Sequence, residues 1–435
     1  MTNALDWMDL DRRVRGTADA LALWETTPDT SASDALGEPA PCPIPRAVSN
    51  RELLESLRSL SIDPLAKGLA AWVAHLTLER VTWADAERVR SARLASQTLG
   101  DGASASVEEL ARSLLGPSTN RELVGRRLVD ASAAMREPLA RYMERRREAR
   151  RLLGLATPPI ADLVEDWLKA TDAAFEAHGH DAGWSEAIVA SLGSEVGEGW
   201  PAHLTWRWVR ETLGDRYFEG ARPVALGAAP APLGAMSFAR ALASAGSECA
   251  RIDRASSVPF VLAREPADAL VRARHGLFGA LVLTPTFHQR KLGLGRERAR
   301  RQAAAAARAA LVASRWAAIS AVSHDLLAGA HGRRDFEDFT ARALGRGLPG
   351  SLLGVLPRHR EDAPARFTGW VEGLLDARAM RDRFDEDWFD NPRAIEALRA
   401  EHHLAISARA SRAPKTVLEA CSSAARSLTD LLEAR

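Results

Sequence analysis

The chain has 435 residues, more than one compact core of ordinary size organises, so two or three lobes are expected. Hydrophobic residues make up 46% and charged residues 26%, enough for a sizeable interior and too apolar for wholesale disorder. The 58 Lys and Arg side chains nearly cancel the 57 Asp and Glu, which leaves no basic field of the kind nucleic acid or an anionic membrane attracts; neither is an expected partner.

Residues 1–23 interleave Asp6, Asp9, Asp11, Arg12 and Arg13 with apolar positions, unlike a signal peptide. No run of about 18 apolar residues occurs in the chain, and a cytoplasmic location is expected. Cys42, Cys249 and Cys421 lie far apart without a C-x-x-C pattern, so a reducing compartment fits better than a disulfide framework or a cysteine zinc site. Residues 26–48 are rich in Pro, Ser, Thr and Ala and read as a linker or surface arm after a short N-terminal helix.

At Ser49-Asn50-Arg51-Glu52 a capping box is expected to open a helix, with Leu53, Leu54, Leu57 and Leu60 on one face. The start signal repeats at Ser106-Val107-Glu108-Glu109 and at Thr119-Asn120-Arg121-Glu122, the second predicting one long helix to about Leu153. After Pro158-Pro159 an amphipathic helix is predicted over 160–178, carrying Leu163, Trp167 and Ala170 on one side. Residues 214–235 are dense in Gly and Pro, with one short strand pattern at 222–226; 236–252 predicts a helix and 258–262 a short buried strand. Further helices are predicted over 265–282, 294–328, 334–345, 367–380, 391–410 and 414–434. No fixed-period repeat supports a solenoid. The class is mainly α with minimal β and at least roughly 60% helix. The expected organisation is an N-terminal helix and linker (1–48), a helical lobe (49–200) and a second helical lobe (201–435).

The common chemical signatures are missing. The chain has no G-x-x-x-x-G-K-[ST], no G-x-S-x-G elbow and no intact H-E-x-x-H, so any activity would rest on dispersed residues. His178 and His180 form a turn pair at a helix end, where histidines also cap carbonyls. His402 and His403 are adjacent on a predicted helix and point about 100° apart. These four are the candidate metal ligands, none with zinc spacing by itself. The arginine-dense stretches 141–151 and 296–315 read as solvated faces, the first interleaved with Glu144 and Glu148 at ion-pairing spacing. Trp72, Trp167, Trp206 and Trp208 fall within apolar periodicity and are assigned to core packing.

Residues 236–250, MSFARALASAGSECA, resemble the active-site helix of the thimet oligopeptidase and oligoendopeptidase F family of zinc peptidases. Matching Gly246 to the family's glycine places Ala243 and Ser247 where the two histidine ligands belong and Ser244 where the catalytic glutamate belongs. The downstream stretches 258–270 and 275–281 resemble the helix that supplies the third ligand, with Arg272 or Glu265 at that position. The resemblance covers about 50 residues, and the family's C-terminal His and Tyr elements are missing. It implies a two-lobed peptidase-like architecture with a central cleft from which the zinc site has been lost. Alanine carries no donor, serine is a poor zinc ligand, and arginine would set a permanent positive charge beside a dication. The resemblance therefore implies a non-catalytic protein without cofactor that binds a peptide, a protein partner or a small molecule. The alternatives are an enzyme of another class built from dispersed His, Asp and Glu, and a helical scaffold unrelated to peptidases. The small residues Ala241, Ala243, Ser244, Ala245 and Ser247, with Gly246, suit either a cleft wall or close helix contact.

Overall fold

The structure, a computed structural model, describes residues 6–26, 41–60, 62–115, 121–155, 160–178, 200–217, 232–252, 258–266, 269–329, 331–356, 363–402 and 414–433. Among the described residues 81% are helical and there is one two-stranded sheet, a mainly α protein as the periodicity indicates. In chain order the helices are α1 (Trp7–Thr26), α2 (Arg51–Ser59), α3 (Pro64–Leu94), α4 (Val107–Leu115), α5 (Arg121–Ala131), α6 (Arg136–Leu153) and α7 (Ala161–His178). They continue as α8 (Trp206–Tyr217), α9 (Ala235–Ile252), α10 (Phe260–Ala263), α11 (Ala269–Gly279), α12 (Pro285–Leu292) and α13 (Arg296–Ala328). The last four are α14 (Gly332–Leu344), α15 (Ala363–Phe384), α16 (Pro392–His402) and α17 (Pro414–Glu433).

Two large apolar clusters organise these helices, and a small third one joins Ala250, Leu270 and Val271. The smaller of the two large ones gathers α1, α2, the first two-thirds of α3, the end of α6 and α10, around Val14, Leu54, Leu69 and Val73. The larger takes α4, α5, α7, α8, α9 and α11 to α17. Its axis is α13, where Ala299, Ala306, Ala307 and Ala310 are fully buried and let α7, α14, α15 and α17 approach closely. Arg315, on the same helix, is buried with all its donor groups engaged. Its Nε donates to Ala343 O (2.6 Å), Nη1 to Leu168 O and Thr171 Oγ1, and Nη2 to Asp172 Oδ1 and Arg342 O. One side chain thus satisfies the carbonyl end of α14 and ties it to α7.

Local signals account for most boundaries. The Ser106 and Glu109 capping box forms in full: Glu109 N–H donates to Ser106 Oγ (3.1 Å), and Ser106 N–H donates to Glu109 Oε2 (2.7 Å). At α2 the cap is Asn50 rather than Ser49. Leu53 N–H donates to Asn50 Oδ1 (2.8 Å), while the Ser49 hydroxyl turns back to Pro45 O (2.6 Å). The long helix expected to run to Leu153 is broken into α5 and α6 by a 3₁₀ turn at Ser132–Met135. Pro138 explains the break, because proline is accepted in a helix's first turn and not in its interior.

The strand expected at 258–262 is instead the one-turn helix α10. Asp11, from α1, accepts Phe260 N–H at Oδ2 (2.9 Å) and Val261 N–H at Oδ1 (3.0 Å), capping it from 249 residues away. The strand pattern at 222–226 lies outside the described residues. The sheet forms elsewhere, pairing β1 (Ser96–Thr98) with β2 (Ser104–Ser106) in antiparallel register across a turn in which Gly102 takes φ +79°. Helix α12 is also absent from the periodicity reading. Its signals are Pro285 in the first turn and Gly293 in the left-handed conformation after the last.

Candidate functional site

Helices α9 and α11, which hold the positions expected from a metallopeptidase likeness, lie side by side. Their contact is glycine-tight. A Cβ added to Gly246 would sit 2.6 Å from Arg274 O and 2.7 Å from the Phe278 side chain. One added to Gly279 would sit 3.3 Å from the Ala243 Cβ. The opposite side of α11 is as close to α15, where a Cβ on Gly276 would lie 2.2 Å from Gly369 O. At Ala243 and Gly246 the small residues therefore serve helix contact and line no opening.

Ser247, at the second expected ligand position, is buried. Its Oγ lies 3.1 Å from Ala243 O and 3.0 Å from His275 Nδ1 on α11. A hydroxyl has one proton. Ala243 O, in the middle of α9, already accepts the helical N–H of Ser247, so the proton can go to either acceptor and the His275 tautomer decides which. In either arrangement the hydroxyl bridges α9 and α11. Ser244, at the glutamate position, is half-buried.

The third-ligand candidates do not join this pair. The Cβ of Arg272 faces Gly369 on α15, 2.7 Å from where a Cβ there would stand, and Glu265 is exposed in the segment before α11. His275 is the α11 residue that meets Ser247; lying 28 residues away, it gives no spacing signal. Its neighbour Arg274 is 2% exposed and pairs with Asp376 of α15 (3.6 Å) and with Glu401 of α16.

His178 is exposed at the end of α7, and His402 ends α16. His180 and His403 lie outside the described residues. Among the described residues no group of three His, Cys, Asp or Glu side chains is placed to hold a metal ion. Among the described residues the histidine most deeply buried is His288 of α12, whose Nε2–H donates to Val282 O (2.6 Å) and whose Nδ1 has no hydrogen-bond partner. Burial pushes its pKa down to about 4. It packs against Trp200 and Phe287 as a neutral core side chain.

Of the three cysteines, Cys42 is exposed while Cys249 and Cys421 are buried, and none forms a disulfide; burial pushes the Cys421 thiol up to about 12. Trp167 is fully buried and donates from Nε1 to Ser314 Oγ (3.2 Å), while Trp72 donates to Arg264 O (2.7 Å). Trp206 and Trp208 pack against the larger core, so the tryptophans assigned to packing do pack. The arginine run on α6 departs from a purely solvated face. Arg146 turns inward at 2% exposure and bonds Glu79 and Thr82 of α3, whereas Arg145 pairs with Glu148 at the surface. Among the described residues no helix is long and apolar enough to cross a membrane. No protein-family model, curated protein or solved structure matches the chain.

Proposed function

We propose that the chain is a non-catalytic, two-lobed binding protein on a metallopeptidase-like scaffold. It takes a peptide, a protein partner or a small molecule and needs no cofactor. The observation that carries this reading is the pairing of α9 with α11. The expected ligand positions Ala243 and Ser247 face the helix that would bring the third ligand, yet what they meet is Gly279 and His275. A zinc hydrolase needs three or four donors around the ion and a base for the water. Here Ala243 offers no side-chain donor, and Ser247 is already engaged by a carbonyl and an imidazole. The Ser247–His275 pair is also what a serine-hydrolase reading would have to use.

Elemental analysis of the purified, dialysed chain tests the first half, and labelling with a fluorophosphonate probe tests the second. The expected outcome is no stoichiometric zinc, no hydrolysis of quenched fluorescent peptides with added zinc, and no probe adduct at Ser247. About one zinc per chain would establish a metal site and end the non-catalytic reading. An adduct at Ser247 that disappears in His275→Ala would favour the hydrolase instead.

A further inference from the structure

Helix α12 has eight residues, opens on Pro285 and ends at Gly293 in the left-handed conformation. A helix of that length does not hold itself in water, so what fixes it is tertiary. Phe287 and Leu292 are buried, and the Phe287 ring lies 5.1 Å from Phe389 and 6.0 Å from Phe238. The polar side chains reach one segment, 385–390. Thr286 Oγ1 donates to Glu386 Oε2 (2.9 Å), Arg290 pairs with Asp387 (2.6 Å), and Lys291 pairs with Asp390. That segment begins at Asp385, which takes φ +69°, and closes in the 3₁₀ turn Trp388–Asp390.

His288 is held differently. It is fully buried, donates from Nε2 to Val282 O of the 3₁₀ turn Ala280–Leu283, and lies 5.5 Å from the Trp200 ring. Its Nδ1 has no hydrogen-bond partner. No anion among the described residues bonds to the ring from the elements around it. The turn Ala280–Leu283 carries no titratable side chain, and Glu386, Asp387 and Asp390 are bound to other residues of α12. In the first turn of α13, Arg296, Glu297 and Arg298 are exposed, as are Arg240 of α9 and His203 beside Trp200. A proton on His288 therefore has no counter-ion while α12 is seated. Once α12 lifts, the imidazolium reaches water and the carboxylates of 385–390.

We propose that α12 is an acid-released latch. When His288 takes a proton, α12 parts from the turn Ala280–Leu283 and from the 385–390 segment, and Phe287 leaves Phe238 and Phe389, while α13 and the rest of the larger core stay folded. Burial holds the seated imidazole at about 4 against an ordinary 6.5, so the seated form is fully favoured above pH 6.5 and loses ground as pH falls toward 4. One short unit thus opens ahead of the core, which a general acid sensitivity of the fold does not require. The latch is independent of the peptidase likeness.

Hydrogen exchange of the full chain, read by mass spectrometry at pH 7.5 and pH 5 and corrected for the intrinsic exchange rate, tests this. The opening equilibrium of 285–292 should rise by about thirtyfold between the two, the ratio set by the shift from 6.5 to about 4. About 0.5 M urea should leave that exchange unchanged while quickening α13, because local opening exposes little surface. His288→Gln should remove the rise. Asp387→Asn, at the surface end of the pairing with Arg290, should raise opening at both pH values and keep the ratio, a check that stands even should His288→Gln not fold. Exchange in 285–292 that is equal at both pH values, or that follows α13 in rate and in its response to urea, overturns the proposal. So does a rise that persists in His288→Gln, or an α12 indifferent to Asp387→Asn.

Discussion

His288 shows how a single buried group sets a pH limit on this fold. Its imidazole is fully enclosed, with one nitrogen bonded to Val282 O and the other facing apolar surroundings, so protonation would place an unanswered charge in the core. The folded value of about 4 lies below the ordinary 6.5, and the unfolded chain therefore binds this proton more readily. Above about pH 6.5 the group costs nothing. Stability falls as pH drops from there through 4, by about 3 kcal/mol in total at about 1.4 kcal/mol per pH unit. Denaturant unfolding at pH 7 and pH 4.5 should show this loss, and His288→Gln, which keeps a donor for Val282 O without titrating, should remove most of it. An equal loss in the variant would place the acid sensitivity elsewhere.

Glycine does opposite work in different helices. Gly276 sits in α11 between α9 and α15, and any Cβ there would collide with Gly369 O at 2.2 Å, a backbone atom that moves only if the helices part. Gly276→Ala should therefore cost about 2 kcal/mol or more through overpacking. Gly16, near the middle of α1, has nothing within 4 Å of an added Cβ. Gly16→Ala should stabilise by about 0.5–1 kcal/mol, because alanine loses less backbone entropy in a helix. Melting temperatures that shift the same way for both would contradict tight packing at Gly276. The helices themselves are largely legible in the sequence, since capping boxes and 3.6-residue periodicity are local. The misread boundaries have local causes too: Pro138 splits the long helix, and Pro285 with Gly293 frames α12.

Across the whole molecule, the two apolar clusters predict unequal resistance to local opening. The smaller is closed by α1, which is held to α10 by Asp11 and to α3 by packing. Asp11→Ala strands two backbone donors of α10 and should cost about 1–2 kcal/mol. Hydrogen exchange should quicken in α1 and α10 while the core of α13 stays protected. Uniform quickening across both clusters would mean that they open as one unit.

The helical class, most helix positions and the burial of Trp72 and Trp167 are written locally in the chain, because each depends on residues within a turn or two of one another. The absence of an intact zinc motif is equally readable, as missing side chains cannot be restored by folding. The role of the small face of α9 is not local: Ala243 and Gly246 close onto α11, and Ser247 meets His275 across 28 residues. Packing likewise turns Arg146 and Arg274 inward, the latter to a carboxylate 127 residues away, and through Asp11 makes a helix of a segment that reads as a strand. Such pairings carry no local period. They are set by which helices come to lie together, through the summed burial of side chains scattered along the chain.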